Sequence, residues 1–334
     1  MARIAVIGAG SWGTALASLL AGNGHEVVVW AYLEEEKRHL EETRIHPNLK
    51  DTKLPESLRF TNDLKEASDR RDLIVMAVPS TATRSTARRL KESIPDGQPM
   101  VTVSKGIEEN TLMTQCQIIE EEIPGAIVGI LSGPSHAEEV IKKLPAAVVA
   151  GAKDRKLAVL IQELFMNEYF RVYTSPDVHG IEIGGSLKNV IALAAGMSDG
   201  LLFGDNARAA LMTRGIKEIS SLAQAMGGNE KTLSGLTGIG DLIVTCSSVH
   251  SRNHMAGVYI GEGMDMQEAM DKVNMVVEGV YSAKAALALG ERHHIELPII
   301  AAVNQVLFEG KSAKDAVSEL MKRDKKSEIE GLTW

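Results

Sequence analysis

An α/β first half followed by an all-helical second half is expected from three features of the chain. Up to about Asp177, short β-branched runs alternate with helical stretches, the pattern of a doubly wound parallel sheet covered on both faces by helices. At the end of the first such run stands Gly8-Ala9-Gly10-Ser11-Trp12-Gly13. Beyond Asp177 the β-branched runs almost vanish, and long apolar or amphipathic stretches punctuated by glycines replace them. With 334 residues, 44% of them hydrophobic and 24% charged, the chain can build two cores. The expected division is an α/β domain over 1–180 and a helical domain over 181–334.

The elements follow in order. Strands are predicted over Arg3 to Ile7, Glu26 to Trp30, Leu73 to Ala77, Pro99 to Ser104, Ala126 to Leu131, Ala146 to Ala150 and Phe170 to Tyr173, with helices between them. In the second half, Ser186 to Ala195 and Ala207 to Met226 read as helices. No repeat, low-complexity segment or Pro/Gly/Ser-rich linker separates the halves, so a packed helix should join them. The run Lys322-Arg323-Asp324-Lys325-Lys326 reads as a solvated tail, His293-His294 as an exposed helix end, and the 14 methionines mostly as core filling.

Composition narrows the function. A net charge of -8, with an isoelectric point near 5.7, argues against a nucleic-acid surface, because phosphate backbones are held by clustered Lys and Arg. Any anionic ligand must therefore meet a local basic pocket. Cys116 and Cys246 belong to no CxxC pair, and no HExxH motif or carboxylate cluster asks for a metal. Met1 leads straight into the apolar Ile4-Ala5-Val6-Ile7, without the features of an export signal, and no apolar run approaches the roughly 18 residues that span a bilayer. A cytoplasmic protein is expected.

The glycine motif carries specific chemistry. Gly8 permits a tight turn, Gly10 lets backbone approach a pyrophosphate, and Gly13 lets helix and strand pack closely, which is the Rossmann-type dinucleotide fingerprint. The pyrophosphate then sits against free N–H groups at a helix N-terminus. Lys105, in Ser104-Lys105-Gly106 after a predicted strand, stands where open α/β sheets bind ligands. NAD and NADP both remain open. The second strand ends in Trp30-Ala31-Tyr32-Leu33 before Glu34, with no acid for a ribose hydroxyl and no arginine for a 2′-phosphate; Lys37 and Arg38 come about a turn later.

Three polar islands interrupt the second half: Gly184-Gly185-Ser186-Leu187-Lys188-Asn189, Gly238-Ile239-Gly240-Asp241 and His250-Ser251-Arg252-Asn253. At helical spacing Leu187, Val190, Ile191 and Ala194 share a face, which leaves Lys188 turned toward a possible cleft. Gly238 to Gly240 would present Asp241 from a tight turn, and Ser251-Arg252-Asn253 would cap a helix and offer a guanidinium to an oxyanion. Taken singly, each has an ordinary explanation: a solvated lysine, a local turn aspartate, a simple cap.

Longer blocks go further. GAGSWGTALA (Gly8 to Ala17), SKGIE (Ser104 to Glu108), LSGPSHAEEV (Leu131 to Val140), EIGGSLKNVIALAAG (Glu182 to Gly196), SGLTGIGDLIVTC (Ser234 to Cys246) and HSRN (His250 to Asn253) resemble the bacterial NAD(P)-dependent glycerol-3-phosphate dehydrogenases over essentially the whole chain, with Val276 to Val280 and the Pro298 region also similar. The resemblance implies a helical domain of the 6-phosphogluconate dehydrogenase type and a homodimer. It also implies reversible reduction of dihydroxyacetone phosphate to sn-glycerol 3-phosphate, the precursor of glycerophospholipids. Lys188 would be the acid/base, oriented by Asp241, Asn189 and Thr245. Lys105, Gly133, Ser135, Ser251, Arg252 and Asn253 would hold substrate with Lys188 and Asp241, Arg252 and Asn253 taking the phosphate. Gly8, Gly10, Ser11, Trp12, Gly13, Tyr32, Ala137, Val276 and Glu278 would line the dinucleotide, with Lys105 and Arg252 at the shared boundary.

An ordinary lysine near pKa 10.4 needs lowering by about three units, roughly 4 kcal/mol, to act as a base near neutrality. Lys105 would push Lys188 down and Asp241 would push it up. Tyr32-Leu33 departs from the family habit of His or Arg near the adenosine ribose, which speaks against strong NADP preference. Two other readings compete: another reductase of the 6-phosphogluconate type, and a nonenzymatic dinucleotide sensor, which would be expected to lack Lys188 or Asp241.

Overall fold

The computed structural model describes residues 1–325, 327 and 328. Lys326 of the basic run lies outside the described residues; Lys322 to Lys325 are exposed. The first half is one eight-stranded sheet: β1 Arg3–Ile7, β2 Glu26–Trp30, β3 Arg59–Thr61, β4 Leu73–Met76, β5 Pro99–Thr102, β6 Ile127–Ser132, β7 Ala146–Ala152 and β8 Phe170–Ser175. Their order is β3-β2-β1-β4-β5-β6-β7-β8. β1 therefore lies between β2 and β4, with Ile4 paired to Val27 on one side and Leu73 on the other. Its carboxyl end is the point where the strand order reverses, and Gly8 follows it directly.

Strand alternation builds two cores. Ile4 and Val6 pack with Val27, Val29, Leu73 and Val75 on the face that receives Leu16 and Leu20 of helix α1 (Ser11–Gly22). Ala5, Ile7, Val28, Ile74 and Met76 fill the opposite face. Each Leu, Ile or Val fully buried this way contributes roughly 1.5–3 kcal/mol of transfer free energy. Helix α2 (Glu34–Thr43) follows β2 and buries only Leu40.

Two features differ from the sequence reading. β3 was not predicted: it is three residues long, pairs on one side only and begins with the exposed Arg59, too little for a periodic signal. β7 runs antiparallel to β6 and parallel to β8, so the sheet is mixed at this edge. A parallel return needs a long crossover, whereas only the four-residue helix Ala137–Val140 stands between β6 and β7. The predicted strands are all present, the first two with the expected bounds and the rest with ends shifted by one or two residues.

The second half is helical: α3 Val178–Gly200, α4 Asp205–Ala225, α5 Asp241–Ser247, α6 Arg252–Gly261, α7 Glu278–Arg292 and α8 Pro298–Phe308 frame it. α3 is 23 residues long and buried on every side from Gly180 to Ser198; it spans about 34 Å. Its Gly196 and Gly200 face Gly257 and Gly261 of α6. A Cβ on Gly196 would stand 2.0 Å from the His254 carbonyl oxygen, and one on Gly257 2.2 Å from that of Leu193. The small residues seen in the sequence thus serve close packing within the chain. Of the methionines, Met76, Met100 and Met197 are buried, and Met212, Met226, Met264, Met266 and Met270 are half-buried against the helical core, so core filling describes most of them. His293 caps the end of α7 and His294 is exposed.

Candidate active site

The loops after β5 and β6 meet the middle of α3. Glycines allow the approach: a Cβ on Gly185 would stand 2.9 Å from Ser132 Oγ, and one on Gly184 2.8 Å from the Thr237 carbonyl oxygen. At this junction Lys188 Nζ donates to Thr245 Oγ1 at 2.6 Å and pairs with Asp241 Oδ1 at 2.8 Å. Lys105 Nζ donates to the other carboxylate oxygen, Oδ2, at 2.6 Å and to the Gly133 carbonyl at 3.1 Å. The Thr245 hydroxyl gives its single proton to the Asp241 backbone carbonyl at 2.6 Å, so its lone pairs are left to accept from Lys188. The third N–H of Lys188 has no acceptor among the described residues.

Asp241 does not emerge from a tight turn, as the glycine spacing had implied. A single π-helical turn, Leu236–Gly240, runs directly into α5, with Asp241 as its first residue and Thr245 one turn on. Lys188, Asp241 and Thr245 are all buried. The lysine is therefore not the solvated side chain that a single lysine would suggest; its own helix is enclosed.

The electrostatics follow from two ammonium groups on one carboxylate. Burial pushes Lys188 down, Asp241 pulls it back up and Lys105 pushes it down again, leaving it at about 8. Burial pushes the Asp241 carboxyl up, but Lys105 and Lys188 together outweigh it and hold it below its ordinary value. The trio carries one net positive charge near neutral pH. A group at about 8 with a free N–H can deliver a proton to a nascent oxyanion, or take one as the pH rises.

Beside the trio, α6 presents its N-terminus. Ser251 Oγ accepts from the His254 N–H at 3.2 Å, and the backbone N–H groups of Arg252 and Asn253 have no acceptor among the described residues. Arg252 is exposed. Asn253 Nδ2 donates to Asn189 Oδ1 at 3.1 Å, while its Oδ1 accepts from the Gly279 N–H at 2.8 Å. Asn189 thus braces Asn253 and makes no contact with the ammonium of Lys188. Ser135 Oγ donates to the same Gly133 carbonyl that Lys105 uses, at 2.8 Å.

The glycine turn lies at the carboxyl end of β1. Gly8 has φ +121°, and a Cβ there would stand 2.7 Å from the Ala77 carbonyl oxygen; one on Gly13 would stand 2.2 Å from that of Gly8. A Cβ on Gly10 would meet nothing within 4 Å, and α1 starts without a side-chain cap. Ser11 and Trp12 open α1 half-buried, and Ala137 is buried at the start of its short helix. Val276 precedes α7, and Glu278 begins it with its Oε1 accepting from the Ser80 N–H at 3.1 Å. Tyr32 is 70% exposed past β2, its ring edge-on to Trp30.

Comparison with known proteins decides the family. The family model for the NAD-dependent glycerol-3-phosphate dehydrogenase N-terminus matches residues 3–158, and that for the C-terminus matches 177–318. A glycerol-3-phosphate dehydrogenase [NAD(P)+] of Agathobacter rectalis is 59% identical, with 100% of both chains covered. The chain belongs to the NAD-dependent glycerol-3-phosphate dehydrogenase family. Another enzyme of that name, from Fusobacterium nucleatum, is 55% identical over 99% of each chain. The crystal structure of glycerol-3-phosphate dehydrogenase from Coxiella burnetii superposes with a TM-score of 0.93 at 36% identity, covering 96% of this chain and 99% of that one.

Members of the glycerol-3-phosphate dehydrogenase family take NAD or NADP, and the residues here fit a dinucleotide. Open space over Gly10 and bare N–H groups at α1 suit a pyrophosphate, while the contacts at Gly8 and Gly13 explain why those two positions admit no side chain. Two residues at the cleft escaped the sequence reading. Ser80 holds Glu278 through both its N–H and its hydroxyl. His136 lies close enough to Lys188 to be lowered by it after burial, and its Nε2 is buried without a partner. His136 stood inside a matching block, but nothing local distinguished it from a cap residue.

Proposed function

We propose that this chain interconverts dihydroxyacetone phosphate and sn-glycerol 3-phosphate with a nicotinamide dinucleotide, supplying the precursor of glycerophospholipids. The observation that carries the reading is the buried Lys188 ammonium, held by Asp241 and Thr245 with one N–H left free, at the carboxyl ends of strands that also carry the glycine turn. When bound, the nicotinamide ring supplies a hydride to the carbonyl carbon or accepts one from the alcohol carbon. Lys188 gives its proton to the oxygen on that carbon during reduction and takes it back during oxidation. Asp241 and Thr245 keep the ammonium aimed, and Asn189 acts through Asn253. Arg252, Asn253 and the N-terminus of α6 hold the phosphate by charge-assisted donation, and Lys105, Gly133, Ser135 and Ser251 complete the substrate pocket. Gly8, Gly10, Ser11, Trp12, Gly13, Tyr32, Ala137, Val276 and Glu278 hold the dinucleotide, joined by Lys105 and Arg252.

With Lys188 at about 8, its acid form predominates near neutral pH. Reduction therefore starts from the resting state, and oxidation gains as the pH rises. The main division of labour we assign is dinucleotide binding in 1–180 and proton transfer in 181–334, with Lys105, Gly133 and Ser135 reaching the substrate from the first part and Arg252, Val276 and Glu278 reaching the dinucleotide from the second; it is supported by the end of β8 at Ser175 and the start of α3 at Val178. We also place the chain in the cytoplasm as a homodimer. Support for the location comes from two buried free cysteines, and among the described residues no helix is long and apolar enough to cross a membrane.

The test is oxidation of NADH and of NADPH by the purified chain with dihydroxyacetone phosphate, beside Lys188→Ala. Turnover abolished by the substitution supports the assignment. No turnover with either nucleotide, in protein that is folded and binds dinucleotide, would overturn the substrate.

A further inference from the structure

Glu278 belongs to the helical half, whereas the glycine turn lies in the first half, and one pair of hydrogen bonds joins the two. β4 pairs with β1, and just past β4 the Ala77 N–H donates to the Ile7 carbonyl at 2.9 Å. The segment from Ala77 to Ser80 therefore leaves the sheet beside the glycine turn, at the carboxyl edge where open sheets bind their ligands. Ser80 is buried there. Its N–H donates to Glu278 Oε1 at 3.1 Å and its hydroxyl to Oε2, across 198 positions of sequence.

Each partner is fixed from its own side. Ser104 Oγ donates to the Val78 carbonyl at 2.5 Å and so pins the turn that presents Ser80. A Cβ on Gly106 would stand 2.5 Å from Ser80 Cβ and 3.4 Å from Glu278 Oε2, so the loop that carries Lys105 packs against the pair. Glu278 opens α7, and the N–H that follows it, of Gly279, is held by Asn253 Oδ1 at 2.8 Å. The helical half thus sets the backbone of Glu278, and Ser80 sets its carboxylate. An ionised carboxylate offers about four acceptor positions; Ser80 fills one on each oxygen, which leaves one on each. Burial pushes the Glu278 carboxyl above its ordinary value, and the Ser80 hydroxyl, the Ser80 N–H and Arg252 pull it back. Among the described residues, Arg252 is the charged group that acts on it.

We propose that Ser80 is a positioning residue for the nicotinamide dinucleotide and acts through Glu278; the proposal rests on the assignment of Glu278 to the dinucleotide site. The two Ser80 donors fix the carboxylate across the junction of the halves. The lone pair left on each oxygen then accepts from a hydroxyl or an amide N–H of the dinucleotide.

Equilibrium binding tests this without turnover. NADH is titrated into the purified chain from about pH 5.5 to about pH 8.5, binding is followed by nucleotide fluorescence, and no second substrate is present. Affinity should fall as the pH drops through the titration of Glu278, because a protonated carboxyl is the poorer acceptor. Ser80→Ala removes the hydroxyl and keeps the N–H. It should weaken NADH binding at least about threefold and move the falling limb upward by at least about half a pH unit, since a hydrogen bond to the charged form is lost. A hydroxyl that only braced the two halves would leave the limb in place. Glu278→Gln should weaken NADH at least about tenfold and abolish the limb. Adding Ser80→Ala to it should cost less than about twofold more, because the route through Glu278 is already gone. A limb unmoved by Ser80→Ala, or a double variant that multiplies the two single losses, overturns the proposal. Native affinity in Glu278→Gln would instead overturn the assignment of Glu278 beneath it.

Discussion

Replacing Asp241 by Asn removes the one negative charge between Lys105 and Lys188 while keeping shape. Asp241 Oδ1 stands 2.8 Å from Lys188 Nζ; at an effective dielectric of about 20, that attraction is worth about 6 kcal/mol, or about four pH units of lysine titration. Even a third of it moves the titration by more than one unit. Burial and Lys105 already hold Lys188 at about 8, and both remain in the variant, so the shift must be downward. Lys188 then loses its proton below neutral pH. The assay is the pH profile of dihydroxyacetone phosphate reduction between pH 5 and 9. In the native enzyme activity should fall as pH rises through about 8, where the acid form is lost. In Asp241→Asn that falling limb should move at least one pH unit lower, with the rate at pH 7.5 down at least about threefold. A variant whose limb stays at about 8 would show that Asp241 does not govern Lys188, or that Lys188 is not the acid, and the reasoning would fail.

Other predictions separate structural from binding roles. Gly10→Ala places its Cβ in open space, so stability should change by less than about 1 kcal/mol while dinucleotide affinity drops. Gly13→Ala drives a Cβ against the Gly8 carbonyl and should cost about 1–3 kcal/mol, read by urea denaturation. Arg252→Ala should raise the KM for dihydroxyacetone phosphate about 10- to 100-fold through loss of charge-assisted donation, with Arg252→Lys recovering only part; an unchanged KM would remove Arg252 from the phosphate site. Burial pushes Glu182 up to about 7 from an ordinary 4.5. Between those values the folded chain keeps a proton that the unfolded chain has lost, so stability should fall as pH rises from about 4.5 to about 7 and then level off. Glu182→Gln should flatten that slope by at most about 3 kcal/mol across the window, measured by denaturation at pH 5 and pH 8.

Much of the fold was legible from local pattern. The strand of Ile4 to Ile7 alternates between two cores, and Gly8 to Gly13 makes a strand-turn-helix, because side-chain period and glycine stereochemistry are local properties. The short edge strand Arg59–Thr61 was not legible, since three residues carry no period. The reversal of β7 was not legible either, since strand direction depends on how the Gly133 to Pro145 connection packs rather than on the strand's own residues.

The residue types at the site, and their assignment to a family, came from the sequence alone: a lysine at 188, an aspartate at 241, a serine-arginine-asparagine cap at 251 to 253. Their states came only from tertiary contacts. Lys188 read as turned toward a possible cleft or, taken singly, as a solvated lysine, and only the packing of α3 on all sides shows that the ammonium is buried. Lys105 reaches an aspartate 136 residues away, and Lys188 a threonine 57 residues away. The physical reason is common to both lysines. A side chain's charge state depends on the water it loses and the charges it meets, and both are fixed by segments distant in sequence that folding brings together.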